Sequence, residues 1–69
     1  MMLTEESLAW ADYQLAEQAD ALRRQAYALR KRGAGHLPLK PAAEAVAAAL
    51  ERAAIELEHT RKTLNQGAT

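Results

Sequence analysis

The sequence predicts an all-α protein, an antiparallel two-helix hairpin that dimerises into a four-helix bundle. Three observations carry this expectation. Leu8, Leu15, Leu22 and Leu29 recur every seven residues, as do Ala43, Leu50, Leu57 and Leu64, and each series is the seam of a helix packed along another helix. Gly33, Gly35 and Pro38 interrupt the chain between the two repeats. The residue mixture is 49% hydrophobic with alanine and leucine dominant; one Val, one Ile and no Phe leave too few strand formers for a sheet.

The first helix is expected over residues 5–32. Thr4 suits the N-cap, and Glu5 and Glu6 then fall in the first turn, at the positive end of the helix dipole. Leu3 and Leu8 have the spacing of a hydrophobic staple. No Pro or Gly breaks the segment. At its end, Arg30, Lys31 and Arg32 favour the negative pole, and Gly33 suits the left-handed position that follows a helix. Residues 33–40 are expected to be a loop. Pro41 fits the first position of a second helix over residues 41–65, with Gly67 just beyond as a stop. Val46 and Ala53 are expected beside that helix's seam.

At 69 residues the chain is a single domain. A loop this short forces the helices antiparallel. Leu15 then lies near Leu57, Leu22 near Leu50, and Leu29 near Ala43. The basic end of the first helix meets Glu44, and its acidic start meets Arg61 and Lys62. Asp12 is the one acid on the leucine side, and this register assigns it to Arg61 as a structural ion pair at the open end of the hairpin. Such a small chain, without cysteine for disulfides, buries little surface. Its many alanines supply little apolar area, and its second helix is apolar on more than one face. A homodimer is therefore expected.

Several function classes are disfavoured. Nine basic and nine acidic residues give zero net charge, unlike the usual nucleic-acid binder. No apolar run is long enough to span a membrane. The opening MMLTEESLAW lacks the basic and apolar segments of a signal peptide, so a cytoplasmic location is expected. There is no glycine-rich phosphate loop and no interpretable Ser/His/Asp set, and His36 has no neighbouring nucleophile, so no enzymatic activity is expected. Glu56 and His59 have the Glu-x-x-His spacing of carboxylate-bridged metal bundles. His59, however, falls about 130° from its helix's seam, and neither a metal nor a cofactor is expected.

The residues that the seam leaves unexplained are aromatic. Trp10, Tyr13 and Tyr27 lie about 160° from the leucine line of the first helix. Arg24 and Lys31 share the line of Trp10, and Arg23 lies next to it. Trp, Tyr and Arg are enriched in binding hot spots. Trp10, Tyr13, Arg23, Arg24, Tyr27 and Lys31 are accordingly the candidate partner-binding set. Two readings stay open: the aromatics pack against a dimer mate, or they meet a foreign protein. The wider basic cluster, with Arg30, Arg32 and Lys40, either complements the helix dipole or touches phosphates or an acidic protein patch. Glu17 and Asp20 dilute that face.

In length, Ala/Leu seam and short turn, the chain resembles the small hairpins that dimerise and bind paired RNA loops in plasmid copy-number control. That resemblance implies a nucleic-acid regulator, but no RNA-contacting position is matched. In size and Ala/Leu/Arg-rich character it also resembles small phage-encoded anti-activators of quorum-sensing regulators. This second resemblance implies a compact dimer in the host cytoplasm that sequesters a bacterial transcription factor by masking its DNA-binding domain. The segment from Trp10-Ala11-Asp12-Tyr13 to Arg23-Arg24-Gln25-Ala26-Tyr27 would carry that binding. Secreted Trp-x-Gly hairpins fit less well, because Trp10 is followed by Ala11 and Asp12 and lies in a helix, away from the turn.

Overall fold

The computed structural model describes residues 4–67. Helix α1 spans Glu5–Ala34, a single 3-10 turn spans Leu37–Leu39, and helix α2 spans Lys40–Gly67. The long helices pack antiparallel into a rod of 49 × 15 × 14 Å. The helical hairpin is the expected one, but its boundaries and its core differ from the sequence reading.

The start of α1 is capped as expected. The Thr4 side-chain oxygen accepts a hydrogen bond from the Ser7 backbone N–H at 3.0 Å, with Glu5 and Glu6 in the first turn. Leu3, the other half of the expected staple, lies outside the described residues.

The end of α1 corrects the expectation for Gly33. The helix runs on to Ala34, and no described glycine has a positive φ. Gly33 is instead a buried helical residue whose lack of a side chain lets α2 approach. A Cβ built on it would sit 2.5 Å from the Ala43 Cβ. The expected loop of residues 33–40 shrinks to Gly35 and His36, because tight backbone bonds carry the chain around the bend. Gly35 N–H donates to the Arg32 carbonyl at 3.3 Å, His36 N–H to Gly33 at 3.1 Å, and Leu39 N–H to His36 at 2.9 Å. Pro38 sits in the first turn of the 3-10 segment, where its missing N–H costs nothing. Helix α2 thus begins at Lys40, one residue before Pro41, and Gly67 lies within it.

The contact between the helices is made by alanine. With Leu8, Leu15, Leu22 and Leu29 at heptad position d, Asp12, Ala19, Ala26 and Gly33 fall at position a. In α2 the matching a residues are Ala47, Ala54 and Arg61, and Leu50, Leu57 and Leu64 are at d. Ala19, Ala26, Ala47 and Ala54 have no exposed surface, whereas all seven of these leucines are only half-buried. Val46 and Ala53, expected beside the second seam, lie on its open side: Val46 is 50% exposed and Ala53 is also exposed, while Ala47 and Ala54 take the contact. The reason is steric. Two helices whose facing side chains end at Cβ approach until those carbons meet, and the longer leucines must lie to one side of the line of contact.

This packing makes Gly33 a sensitive position. Alanine is ordinarily favoured over glycine inside a helix by about 1 kcal/mol. Here the new methyl meets a methyl fixed to the opposite backbone, so the helices must shift, which typically costs about 1–3 kcal/mol. We expect Gly33→Ala to lower the thermal midpoint by several degrees, and the added change Ala43→Gly to recover part of the loss. An unchanged or raised midpoint in Gly33→Ala would show that the close approach is not as described.

Candidate interaction surface

One flank of the rod is a ladder of ion pairs. Position e borders position a on a helix, and in an antiparallel pair the e residues of both helices share a flank. In α2 this position holds Glu44, Glu51 and Glu58, one heptad apart, and in α1 it holds Arg23 and Arg30. Arg30 makes a two-pronged contact with Glu51, both bonds 2.7 Å, and its Nε reaches Glu44 at 3.1 Å. Arg23 donates to Glu58 at 2.7 Å. At the open end, Arg61 holds Asp12 through Nε at 2.6 Å and through a second nitrogen at 3.1 Å, and Asn65 adds a bond of 2.8 Å. The assignment of Asp12 to Arg61, and of the basic end of α1 to Glu44, is thus what the structure contains.

The ladder shifts the titration of its members. Hydrogen bonds from Arg61 and then Asn65 hold the Asp12 carboxyl below its ordinary value. Arg30 lowers Glu51, and Arg23 lowers Glu58, again chiefly through the hydrogen bond itself. Reciprocally, Arg30 is more basic than an isolated arginine, because both Glu51 and Glu44 bind its guanidinium. All these groups border solvent, so the pairs fix register more than they add stability.

The six candidate partner-binding residues separate into groups. Trp10, Tyr13 and Tyr27 are 67%, 61% and 63% exposed, on the outer side of α1. Lys31 Nζ stands 5.2 Å from the centre of the Tyr27 ring, within cation–π range. Arg24 is exposed and bonds Asp20 one turn back on the same helix. Arg23 differs from the others: from position e it reaches across the hairpin to Glu58 while its side chain stays 45% exposed.

Sequence reading missed Ile55, which is 62% exposed. It lies at position b of α2, the position that Tyr13 and Tyr27 hold in α1, so these residues border the ladder from its two sides. Glu58, His59 and Lys62 line a shallow groove with it. An apolar residue off the leucine line was the available signal. Leu37 and Leu39, within the stretch expected to be a loop, are 75% and 58% exposed at the bend. Glu56 and His59 are both exposed, and among the described residues no three His, Cys, Asp or Glu side chains come together as metal ligands. Among the same residues, no helix is long and apolar enough to cross a membrane.

No protein-family profile, curated protein or solved structure matches this chain. The arrangement itself is therefore the source of any functional reading. It offers aromatic rings and paired charges on a rigid helical frame, a surface suited to binding.

The lowered carboxylates set an acid limit on the hairpin. Asp12, Glu51 and Glu58 titrate lower in the folded chain than in the unfolded one, whose values lie near 3.8 for Asp and 4.5 for Glu. Their contribution is complete above those values and is lost as pH falls through the lower folded ones. The thermal midpoint should therefore be level from about pH 7 to about pH 5 and decline below about pH 4.5. Asp12→Asn should make the decline shallower. A midpoint that rises on acidification would contradict the ladder.

Proposed function

We propose that this protein is a non-enzymatic, protein-binding inhibitor or regulator that works as a homodimer of hairpins in the cytoplasm. In this reading the outer side of α1 docks onto a partner protein and blocks its working surface. The observation that supports it is the exposure of Trp10, Tyr13 and Tyr27 on one helix, at 67%, 61% and 63%. Large aromatics held in water on a regular helix are anchors without a pocket in their own chain. Each carries a polar atom on an apolar ring, the combination that contributes most at protein interfaces. Lys31 beside Tyr27, and Arg24 nearby, supply a polar rim. The resemblance to phage-encoded anti-activators makes a bacterial transcription factor the partner class to test first, with the mechanism being steric masking of its DNA-binding surface.

The competing reading is a nucleic-acid-binding regulator of the dimeric hairpin type. Charge weighs against it. In the basic cluster, Arg23, Arg24 and Arg30 already hold carboxylates. Phosphate binding would have to displace those partners in a chain of zero net charge. A purely structural adaptor is the third reading, and no observation favours it over the first.

Capture of partners from the native host, with the wild-type chain beside Trp10→Ala/Tyr27→Ala, tests the proposal. Loss of two aromatic anchors should weaken capture of a protein partner by about thirtyfold or more, with helicity unchanged. Capture should also persist between low and moderate salt, where phosphate-borne affinity falls steeply. A captured nucleic acid, or a protein partner held equally well by the double variant, would refute the proposal.

A further inference from the structure

We infer that the flank opposite the ion-pair ladder is covered by a second copy of this chain, with leucine rows packed against leucine rows. The inference rests on the homodimer reading above and adds the face through which the copies meet. That face is built from heptad positions d and g, which lie on the side of the seam away from position e.

Its chemistry is unlike the rest of the molecule. The chain carries nine basic and nine acidic residues. None falls at d or g from Leu8 to Leu29 in α1, or from Ala43 to Leu64 in α2. Those positions hold the leucines of both seams together with alanine, Val46, Thr60, Gln18 and Gln25. The leucines are half-buried because the alanine contact pushes them to this side, and Val46 stands 50% exposed beside them. At the bend the surface continues into a small groove walled by Leu29, Gly33, Leu39 and Val46 and by Arg32, the one charged residue at position g of α1.

Three arguments select a second copy as the occupant. A two-fold contact sets a face against itself, and a neutral face does so without like-charge repulsion, whereas the ladder flank is dense in charge. The area is sufficient: a face 49 Å long and about 15 Å wide offers about 700 Å2, so two would bury about 1,400 Å2, within the range of stable interfaces. The single hairpin also exposes 5440 Å2, against about 4,300 Å2 for a compact monomer of 7.6 kDa, and among the described residues no large side chain is fully buried. Covering this face completes the core that the alanine contact leaves half-made.

The test places charge on the face at residues the hairpin itself does not bury. Val46→Glu/Ala53→Glu alters α2, and Gln18→Lys/Gln25→Lys alters α1; all four positions are exposed, away from the alanine contact. The full-length chain is followed by sedimentation equilibrium and by the concentration dependence of its thermal midpoint. We expect the wild type at about twice 7.6 kDa, with a midpoint that rises with concentration. Each charged pair should weaken association by about a hundredfold or more. Trp10→Ala/Tyr27→Ala should leave association intact. If Val46→Glu/Ala53→Glu prevents folding at every concentration, Gln18→Lys/Gln25→Lys, which removes no apolar group, decides the matter. Undiminished association in a folded charged variant, with dissociation of the aromatic variant, would overturn this face and leave the homodimer standing. A wild-type chain that sediments as a monomer at hundreds of micromolar would overturn both, and so would a wild-type mass that is a multiple of 7.6 kDa above two for the dimer.

Discussion

Everything in this hairpin depends on the distance between two backbones. Among the described residues, Ala19, Ala26, Ala47 and Ala54 form the completely buried core, and Gly33 extends their line toward the bend. Side chains that end at Cβ allow an approach that leucine at the same positions would prevent. The cost is a thin core, since a methyl group removes little apolar area from water. The leucines that would normally fill a helical seam are displaced to one side of it, and the two flanks of the rod come to differ.

That difference separates structural from interactive roles. On one flank the short interhelical distance lets Arg23 and Arg30 reach Glu44, Glu51 and Glu58, and the heptad spacing of those glutamates sets the register. Tyr13, Tyr27 and Ile55 border that charged strip. On the other flank the heptads between the ends carry no charge and leucine is plentiful, with Arg32 next to the bend. A surface with both rings and ions offers ways to discriminate between partners, because each charge must find its complement. A neutral, regular surface offers area and self-complementarity. The two kinds of surface lie back to back on a rod about 15 Å thick.

The sequence made much of this legible. The seven-residue leucine spacing, the Thr4 cap and the pairing of Asp12 with Arg61 each follow from helix geometry and hold in the structure. What was not legible involved residues with two equivalent local explanations. A glycine after three basic residues carries the signal of a helix end, and only the position of Ala43 on the other helix shows that Gly33 is a contact residue. Val46 and Ala47 flank the same leucine line, and hydrophobicity favours the valine; the structure selects the smaller residue because proximity, not size, governs the contact. Arg23 sits beside Arg24 in the sequence, yet position e lets it span to Glu58 on the other helix while it stays exposed.

The tight bend between Ala34 and Lys40 has a consequence for the order in which the molecule assembles. Arg30 and Glu44 are separated by 14 positions, Arg30 and Glu51 by 21, Arg23 and Glu58 by 35, and Asp12 and Arg61 by 49. Closing a longer loop costs more chain entropy unless the contacts inside it have already formed. The ladder therefore closes like a zipper from the bend, each rung shortening the search for the next. The Asp12 clamp is the last tooth to engage and the first that thermal motion pulls against. Its place at the far end makes it a latch on the finished hairpin, on the same turns of α1 that carry Trp10 and Tyr13.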